Sequence, residues 1–166
     1  MKESLLKASD KKLLNEAVGH ELYASNFYKY AASCCQKYGL FGAQKFFEKE
    51  SADELKHYYK LRDFFNDRGD EADMPQVDEV EFKEGIDLMG ILDASYELEK
   101  DLGEFYNDFY FSTKDASVQV RIHKFVKIQT KAVGEYGDLL ARLSLVSECP
   151  GGLLIFDQEL GALGVK

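Results

Sequence analysis

The 166-residue sequence contains few residues that interrupt or cross-link a chain. It has only two prolines, Pro75 and Pro150, so long stretches lack the residue that breaks helices most strongly. Its three cysteines, Cys34, Cys35 and Cys149, are too few for a disulfide framework, and two adjacent cysteines cannot bridge each other without strain. A reducing compartment fits this set, so we predict a cytoplasmic protein.

Long apolar runs and an excess of positive charge are also missing. No apolar run approaches the roughly 20 residues that a membrane-spanning helix requires, and residues 1–15 lack the apolar centre of a secretion signal. Asp and Glu number 30 against 21 Lys and Arg, which gives a formal net charge of −9. That charge repels the phosphate backbone of nucleic acids and favours cations as partners. We therefore expect binding to neither membranes nor nucleic acids.

Four long stretches rich in Leu, Ala, Lys, Glu, Tyr and Phe predict an all-helical protein with a single domain over residues 1–166. Ser9 and Asp10 are favourable N-cap residues for the first helix. The segment after Pro150 and two glycines predicts a short fifth helix that is apolar on one side. The expected helices cover residues 9–38, 43–67, 85–112, a fourth from the turn at 112–115 to about Ser147, and 153–163.

The links between these helices predict the topology. Residues 39–42 leave room only for a tight turn, so the second helix must run antiparallel to the first. Residues 69–84 contain Pro75, seven acidic residues and few packing candidates, which is typical of a loop. Such a loop can span about 50 Å when extended, which is the length of a whole helix. We therefore predict an up-down-down-up four-helix bundle with a long crossover between two antiparallel pairs.

Polar residues occur within these helices at positions where a bundle points side chains inward. Glu54 and His57 lie three residues apart and share a helix face. A carboxylate inside a bundle is costly unless it is paired or bound to a metal, so several inward acids need a cation. Carboxylates with one imidazole suit iron or manganese, and zinc can also bind. The full candidate set is Glu21, Glu54, His57, Glu99 and Gln129.

These five residues can hold two metal ions. Glu54 can bridge both ions, with Glu21 and His57 completing the first site. Glu99 and Gln129 then remain for the second site, where a neutral amide replaces an acid or histidine. The residues alone leave another interpretation open, because a Glu-x-x-His pair often occurs by chance and polar side chains can also pair with one another inside a metal-free structural bundle. Other acids, including Glu50, are expected mostly on solvated faces.

Five segments, taken in order along the chain, resemble the ferritins. NEAVGHELYASNFY at residues 15–28 is similar to their first-helix signature, and ADELKH at 52–57 resembles their second-helix Glu-x-x-His motif. YELEKDL at 96–102 and KIQTKAVGEYGDLLARL at 127–143 are similar to the third and fourth helices. GGLLIFDQEL at 151–160 resembles the C-terminal segment of bacterial ferritins, which forms a short fifth helix. The resemblance thus covers nearly the whole chain.

The resemblance implies a ferroxidase centre that binds two Fe(II) ions and oxidises them with O₂ or H₂O₂. The first iron would be held by Glu21, Glu54 and His57. The second would be held by Glu54, Glu99 and Gln129. In ferritins, the tyrosine seven residues after the first glutamate lies beside this centre and can donate a hydrogen bond or an electron. Tyr28 occupies that position, so a catalytic role is expected for Tyr28 and Glu54.

The resemblance also implies a homo-oligomeric cage of 24 subunits that stores Fe(III) as a hydrated oxide mineral. No haem is expected, because Leu55 stands where bacterioferritins carry the haem-ligating methionine and the second Glu-x-x-His is absent. At the positions of a third iron site, Asp53 keeps one possible ligand whereas Lys131 and Ala132 replace two others, so the resemblance leaves that site open.

Two further interpretations remain alternatives to storage. One is a non-storing diiron oxidase, or an oxygen- or peroxide-detoxifying protein, on the same bundle. The other is a small DNA-protecting cage of the starvation type, which lacks a C-terminal fifth helix and therefore fits this chain less well. Retention of iron by an assembled cage would distinguish storage from the non-storing oxidase.

Overall fold

The computed structural model describes residues 3–146 and 148–165, and these residues form five helices and no strand. None of the helices in these ranges is long and apolar enough to cross a membrane. The predicted all-helical fold is confirmed. The helices are α1 (Ala8–Lys37), α2 (Phe41–Asp67), α3 (Leu88–Ser112), α4 (Ala116–Ser144) and α5 (Pro150–Leu163).

The start of α3 differs most clearly from its predicted position. Residue 85 was expected to begin the helix, but Gly85 has φ of +72°, a left-handed conformation that an α-helix excludes. The helix instead begins after Asp87, whose side chain accepts a hydrogen bond from the Gly90 N–H at 2.8 Å. Asp87 therefore fixes the boundary as an N-cap.

Other helix ends differ from the prediction by smaller amounts. The first helix begins at Ala8, and its N-cap is Lys7, which makes no capping side-chain hydrogen bond, rather than the predicted Ser9 or Asp10. Helix α2 begins two residues earlier than expected. The fifth helix begins at Pro150 because proline suits the first turn, where no N–H partner is needed. The fourth helix ends at Ser144, and its predicted end at Ser147 lies outside the described residues.

The topology follows from which residues meet between helices. Tyr28 and Glu21 of α1 contact Glu99 and Tyr106 of α3, respectively, so residue numbers rise on one helix as they fall on the other. Ser25 and Glu21 of α1 contact Ser51 and His57 of α2, respectively, so these two helices are also antiparallel. With α3 and α4 also joined by a short turn, the order is up-down-down-up, as predicted.

The crossover between α2 and α3 packs against the bundle more closely than its composition indicates. Phe82 lies edge-on to Phe27 with ring centroids 5.1 Å apart and stacks on Tyr30 at 5.2 Å. Val80 and Ile86 also pack on the core. The prediction of few packing residues in this loop was therefore wrong, because isolated apolar residues in an irregular segment show no periodicity to reveal them.

The apolar core is divided into two clusters at opposite ends of the bundle. One cluster contains Phe47, Leu92 and Tyr136 and extends to Phe156 of α5. The other contains Leu14, Phe65 and several residues of α3 and α4. On each of the first four helices, the predicted metal-binding residues lie between the segments that form the two clusters, whereas Tyr28 belongs to the first cluster. We call this buried polar layer the waist, comprising Glu21, Glu54, His57, Glu99 and Gln129.

Candidate metal centre

Each waist residue occupies a core position in its own helix. On α1, buried residues recur every three to four positions, and Glu21 takes one of them between Val18 and Ala24. On α2, Glu54 and His57 continue the buried face of the helix in the same way. Because helix periodicity fixes which side chains point inward, these polar groups are inside the bundle as a direct result of their sequence positions.

Glu21, Glu54 and His57 meet in one cluster. One ligand atom of each lies within 4.8 Å of the others, and no other such group of His, Cys, Asp and Glu occurs in the described part of the chain. The Nδ1 atom of His57 lies 3.2 Å from Glu21 Oε2 and 3.1 Å from Glu54 Oε2. All three side chains are buried. Two carboxylates and an imidazole at these distances form a ligand set for a cation.

Glu99 and Gln129 form the other side of the waist. Both are about 1% exposed, and they line the same cleft as Glu54 and His57. Glu99 lies outside the three-residue cluster. Glu99 Oε2 and both polar side-chain atoms of Gln129 have no hydrogen-bond partner among the described residues. Buried polar atoms are rarely left unpaired, so these oxygens are available to a ligand or cation.

Two buried tyrosines orient the carboxylates of the waist. Tyr28, which was predicted from the sequence, donates a hydrogen bond to Glu99 Oε1. Tyr106, which was not predicted, donates a hydrogen bond to Glu21 Oε1. The signal for Tyr106 was present, because it follows Glu99 by seven residues just as Tyr28 follows Glu21, and seven residues are two helical turns. In each case the tyrosine leaves the second carboxylate oxygen for another partner.

Burial favours the protonated form of two waist carboxylates, Glu54 and Glu99. The pKa of Glu54 is raised to about 8, chiefly by burial and also by nearby Glu21, against the opposing hydrogen bond to His57. The pKa of Glu99 is also raised to about 8 by burial and by the charge of Glu54. Burial alone would lower the pKa of His57, but hydrogen bonds to Glu21 and Glu54 outweigh it and raise the pKa to about 10. A metal ion must therefore displace protons from this site.

A cleft of about 360 Å³ between α2 and α4 leads to the waist. Its rim carries lysines, and two of them hold Asp53, with Lys49 Nζ at 2.9 Å from one carboxylate oxygen and Lys56 Nζ at 2.6 Å from the other. Lys131 and Ala132 also line it. Both oxygens of Asp53 are thus already paired with ammonium groups.

Glu50 is a second site residue that sequence reasoning missed. It was expected on a solvated face, yet it is only partly exposed, lines the same cleft and accepts a hydrogen bond from Tyr136 at 3.3 Å. Burial raises its pKa to about 7, against the lowering effect of Lys49. Its position four residues before Glu54, on the same helix face, was the available signal.

Comparison with known proteins assigns this arrangement to a family. The ferritin-like domain model of the ferritin family matches residues 11–146. A probable bacterial non-heme ferritin-like protein of Haemophilus influenzae is 29% identical over 158 residues, covering 93% of this chain and 95% of the relative. The bacterial non-heme ferritin of Campylobacter jejuni is 27% identical over 154 residues, covering 90% of each chain.

Solved structures support the same fold. The open pore ferritin of the archaeon Archaeoglobus fulgidus superposes with a TM-score of 0.90 at 23% identity, covering 94% of this chain and 98% of that one. An engineered closed form of that ferritin superposes with a TM-score of 0.89. The family model spans most of this chain, including every residue of the waist. The protein therefore belongs to the ferritin family.

Proposed function

We propose that this protein is an iron-storage ferritin with a two-iron ferroxidase centre in the waist. The observation that carries the proposal is the conjunction of the Glu21, Glu54 and His57 cluster with unpaired buried atoms of Glu99 and Gln129. A metal-free bundle would leave those atoms without partners at a cost of about 1–3 kcal/mol for each unsatisfied group. Cations in two adjacent sites would satisfy the oxygens of Glu99 and Gln129.

Each residue has a distinct role in this proposal. Glu54 bridges the two Fe(II) substrates, because it lies at the contact between the cluster and the second pair of ligands. Glu21 and His57 complete the first site. Glu99 and Gln129 complete the second, whose neutral amide binds its ion more weakly. Iron is favoured over softer metals since the ligands are mainly carboxylate oxygens.

The reaction removes one electron from each of two Fe(II) ions. O₂ accepts both electrons with two protons and becomes H₂O₂, leaving two Fe(III) ions. Carboxylates bind the more highly charged Fe(III) more strongly than Fe(II), so the site favours the oxidised product. Tyr28 lies next to the proposed second iron site, because its hydroxyl donates a hydrogen bond to Glu99.

Storage requires assembly, and we propose a closed cage of 24 identical chains in which Fe(III) hydrolyses to a hydrated oxide. Support comes from membership of the ferritin family and from the fifth helix, which the ferritin-family resemblance includes. We propose that each chain contributes a single domain over residues 1–166. We also propose that the cage acts in the cytoplasm.

Stopped-flow absorbance tests the centre. Apo-protein is mixed aerobically with two Fe(II) per chain, beside Glu54→Ala, Gln129→Ala and the surface control Glu48→Ala. We expect rapid oxidation in the unaltered protein, a loss of at least about tenfold in Glu54→Ala, a smaller loss in Gln129→Ala and no change in Glu48→Ala. Circular dichroism of each variant verifies that the helices remain folded. Oxidation by the unaltered protein no faster than in buffer would overturn the proposal.

Retention of iron separates storage from a non-storing oxidase. After aerobic loading with excess Fe(II), the protein is passed through a size-exclusion column and iron is measured in each fraction. A storage protein carries many irons per chain in its own peak. Rapid oxidation with at most two irons retained per chain would favour the non-storing diiron oxidase.

A further inference from the structure

Two buried tyrosines stack directly beside the waist. The rings of Tyr28 and Tyr136 are nearly parallel, with an interplanar angle of 3° and centroids 6.1 Å apart. Tyr28 has no solvent exposure and Tyr136 has 2%. The two side chains come from α1 and α4, so their alignment is a product of tertiary packing. No sequence pattern in either helix indicates it.

Each tyrosine donates its hydroxyl proton to a different carboxylate. Tyr28 bonds Glu99, which belongs to the waist, and Tyr136 bonds Glu50, which lies outside it. Burial raises the pKa of both phenols well above their usual value. Both therefore stay protonated in the resting protein, and neither can lose an electron readily unless its proton leaves as well. Tyr136 has Glu50 in place as the carboxylate to which its proton can move.

Glu50 connects Tyr136 to the solvent. It lines the cleft between α2 and α4, and a neighbouring cavity of about 400 Å³ is lined by both Glu50 and Tyr136. The side chain of Glu50 is 21% exposed, whereas Glu99 is almost completely buried. A proton that reaches Glu50 can therefore pass directly to water, whereas a proton exchanged with Tyr28 must pass through Glu99.

We propose that Tyr28 and Tyr136 form an electron relay in which Tyr136, with Glu50 as its proton acceptor, is the terminal donor. The inference rests on the proposed ferroxidase function. It assigns to Tyr136 a role that acts through Tyr28, without contact to iron.

The electron and proton balance has two steps. H₂O₂ from the first oxidation accepts one electron from a further Fe(II), which becomes Fe(III), and one electron together with the phenol proton from Tyr28. A second H⁺ is taken up from the solvent, and two waters form. The product is a Tyr28 radical. Tyr136 then transfers one electron to Tyr28, and the Tyr136 phenol proton moves to Glu50. A proton from the cleft restores the Tyr28 hydroxyl through Glu99, and the radical resides on Tyr136.

The ring stacked on Tyr106 differs from the ring stacked on Tyr28, and this difference explains why the relay starts from Tyr28. It is equally buried and bonds a waist carboxylate, but its ring stacks on Phe125 with centroids 4.9 Å apart. Phenylalanine has no hydroxyl proton to release, so an electron vacancy cannot pass onward from Tyr106. Of these two tyrosines, only Tyr28 has a second tyrosine stacked against it.

Freeze-quench electron paramagnetic resonance tests the relay. The apo-protein receives Fe(II) and then H₂O₂, and tyrosyl signals are followed with time in the unaltered protein, Tyr136→Phe and Glu50→Gln. We expect the unaltered protein to accumulate a signal that Tyr136→Phe lacks. In that variant a different signal, from Tyr28, should persist several-fold longer. Glu50→Gln retains both rings but removes the proton acceptor, so it should also prolong the Tyr28 signal.

Two controls make the outcome decisive. Tyr96→Phe alters a partly buried tyrosine of α3 outside the relay and should change neither the signal nor its decay. Stopped-flow oxidation of the unaltered protein is recorded in parallel. Rapid oxidation with tyrosyl signals identical in the unaltered protein and Tyr136→Phe would overturn the relay alone. Absence of rapid oxidation in the unaltered protein would overturn the ferroxidase function and the relay with it.

Discussion

Glu54 and Glu99 hold protons in the folded chain that they would release in the unfolded one. Their folded pKa values of about 8 lie well above the value of about 4.3 for an exposed glutamate. Between these values the folded state binds more protons than the unfolded state, so raising the pH through this window removes stability. His57, with its pKa raised to about 10, acts in the same direction.

The first prediction is that the apo-protein loses stability as the pH rises. Between pH 5 and pH 8 the melting temperature of the apo-protein should fall, corresponding to a loss of about 1–3 kcal/mol of unfolding free energy. Protein loaded with redox-inert Zn(II) should show a smaller fall, because the bound ion already displaces the protons. Differential scanning calorimetry of both forms measures the difference. A melting temperature of the apo-protein that rises over this range would contradict the pKa assignment. Acids with lowered pKa values, such as Asp70, act at lower pH.

The second prediction concerns Tyr106. Replacing it by phenylalanine keeps the ring against Phe125 but removes the hydrogen bond to Glu21. We expect the unfolding free energy of the apo-protein to fall by about 1–3 kcal/mol, because a buried carboxylate loses a partner. Urea denaturation measures this loss. Tyr110→Phe, at a partly exposed position of the same helix, is the matched control, and equal losses in both variants would contradict the assigned bond.

The waist could be predicted from sequence because helix periodicity fixes which face a side chain shares. Glu54 and His57 follow this rule, and Glu21 lies at a core position by the same rule. The bond from Tyr136 to Glu50 and the stacking of Tyr136 on Tyr28 could not be predicted. They depend on the relative rotation of separate helices, which no spacing within one helix encodes.

At the scale of whole elements, α5 is fixed to the start of α2 by one carboxylate. Leu40 provides no side-chain cap for α2, and Asp157 of α5 instead accepts hydrogen bonds from Gly42 N–H at 3.0 Å and Ala43 N–H at 2.7 Å. The two helices approach closely because Gly42 and Gly161 lack side chains at the crossing. A cap supplied by another helix thus joins two elements that are distant in sequence.

The third prediction tests this attachment. Asp157→Ala should lower the unfolding free energy by about 0.5–2 kcal/mol, the usual value of a lost cap. It should also increase hydrogen exchange within α5. Hydrogen-exchange mass spectrometry measures the second effect. Glu159→Ala is the control, since Glu159 forms an exposed pair with Arg142 that contributes at most about 1 kcal/mol.

A bulkier residue at the crossing gives an independent result. A Cβ at Gly42 would lie 1.8 Å from the backbone oxygen of Asp157, so Gly42→Ala should displace α5 from α2. Unchanged exchange in α5 for both Gly42→Ala and Asp157→Ala would contradict the packing.

The number and order of the helices could be predicted because few breakers occur and the links differ strongly in length. The ends could not be predicted to the residue, because local capping decides them. Asp87 and Gly85 set the start of α3 through a side-chain bond and a left-handed backbone. Packing of Phe82 on the bundle was equally hidden, since it depends on the path of an irregular segment.

For the whole molecule, the outer face of α5 bears apolar residues that a single chain leaves in water. Leu154 and Ile155 are 58% and 61% exposed, and Leu145 nearby is 83% exposed. Apolar surface of this kind commonly marks an interface between proteins. A symmetric assembly would cover it with the same surface of neighbouring copies.

The fourth prediction is the mass of the assembly. Twenty-four chains of 18.9 kDa give about 450 kDa, which size-exclusion chromatography with light scattering measures directly. Ile155→Glu should reduce the fraction of protein at that mass, because it places a charge where apolar surface is expected to be buried. The control Glu159→Gln alters the same helix without adding a charge. A monomer or dimer for the unaltered protein would contradict the cage.

Because the waist separates the two apolar clusters of the core, the rigidity of the chain would depend on whether cations occupy the waist. Without cations, the middle of the bundle is a layer of acids competing for protons, and local opening is easiest where apolar contacts are fewest. Cations bound as proposed would connect all four helices at that layer and stabilise only the folded chain. Under the proposed function, chains without iron would therefore open more often and be more susceptible to proteases, so the lifetime of the protein would depend on the supply of iron.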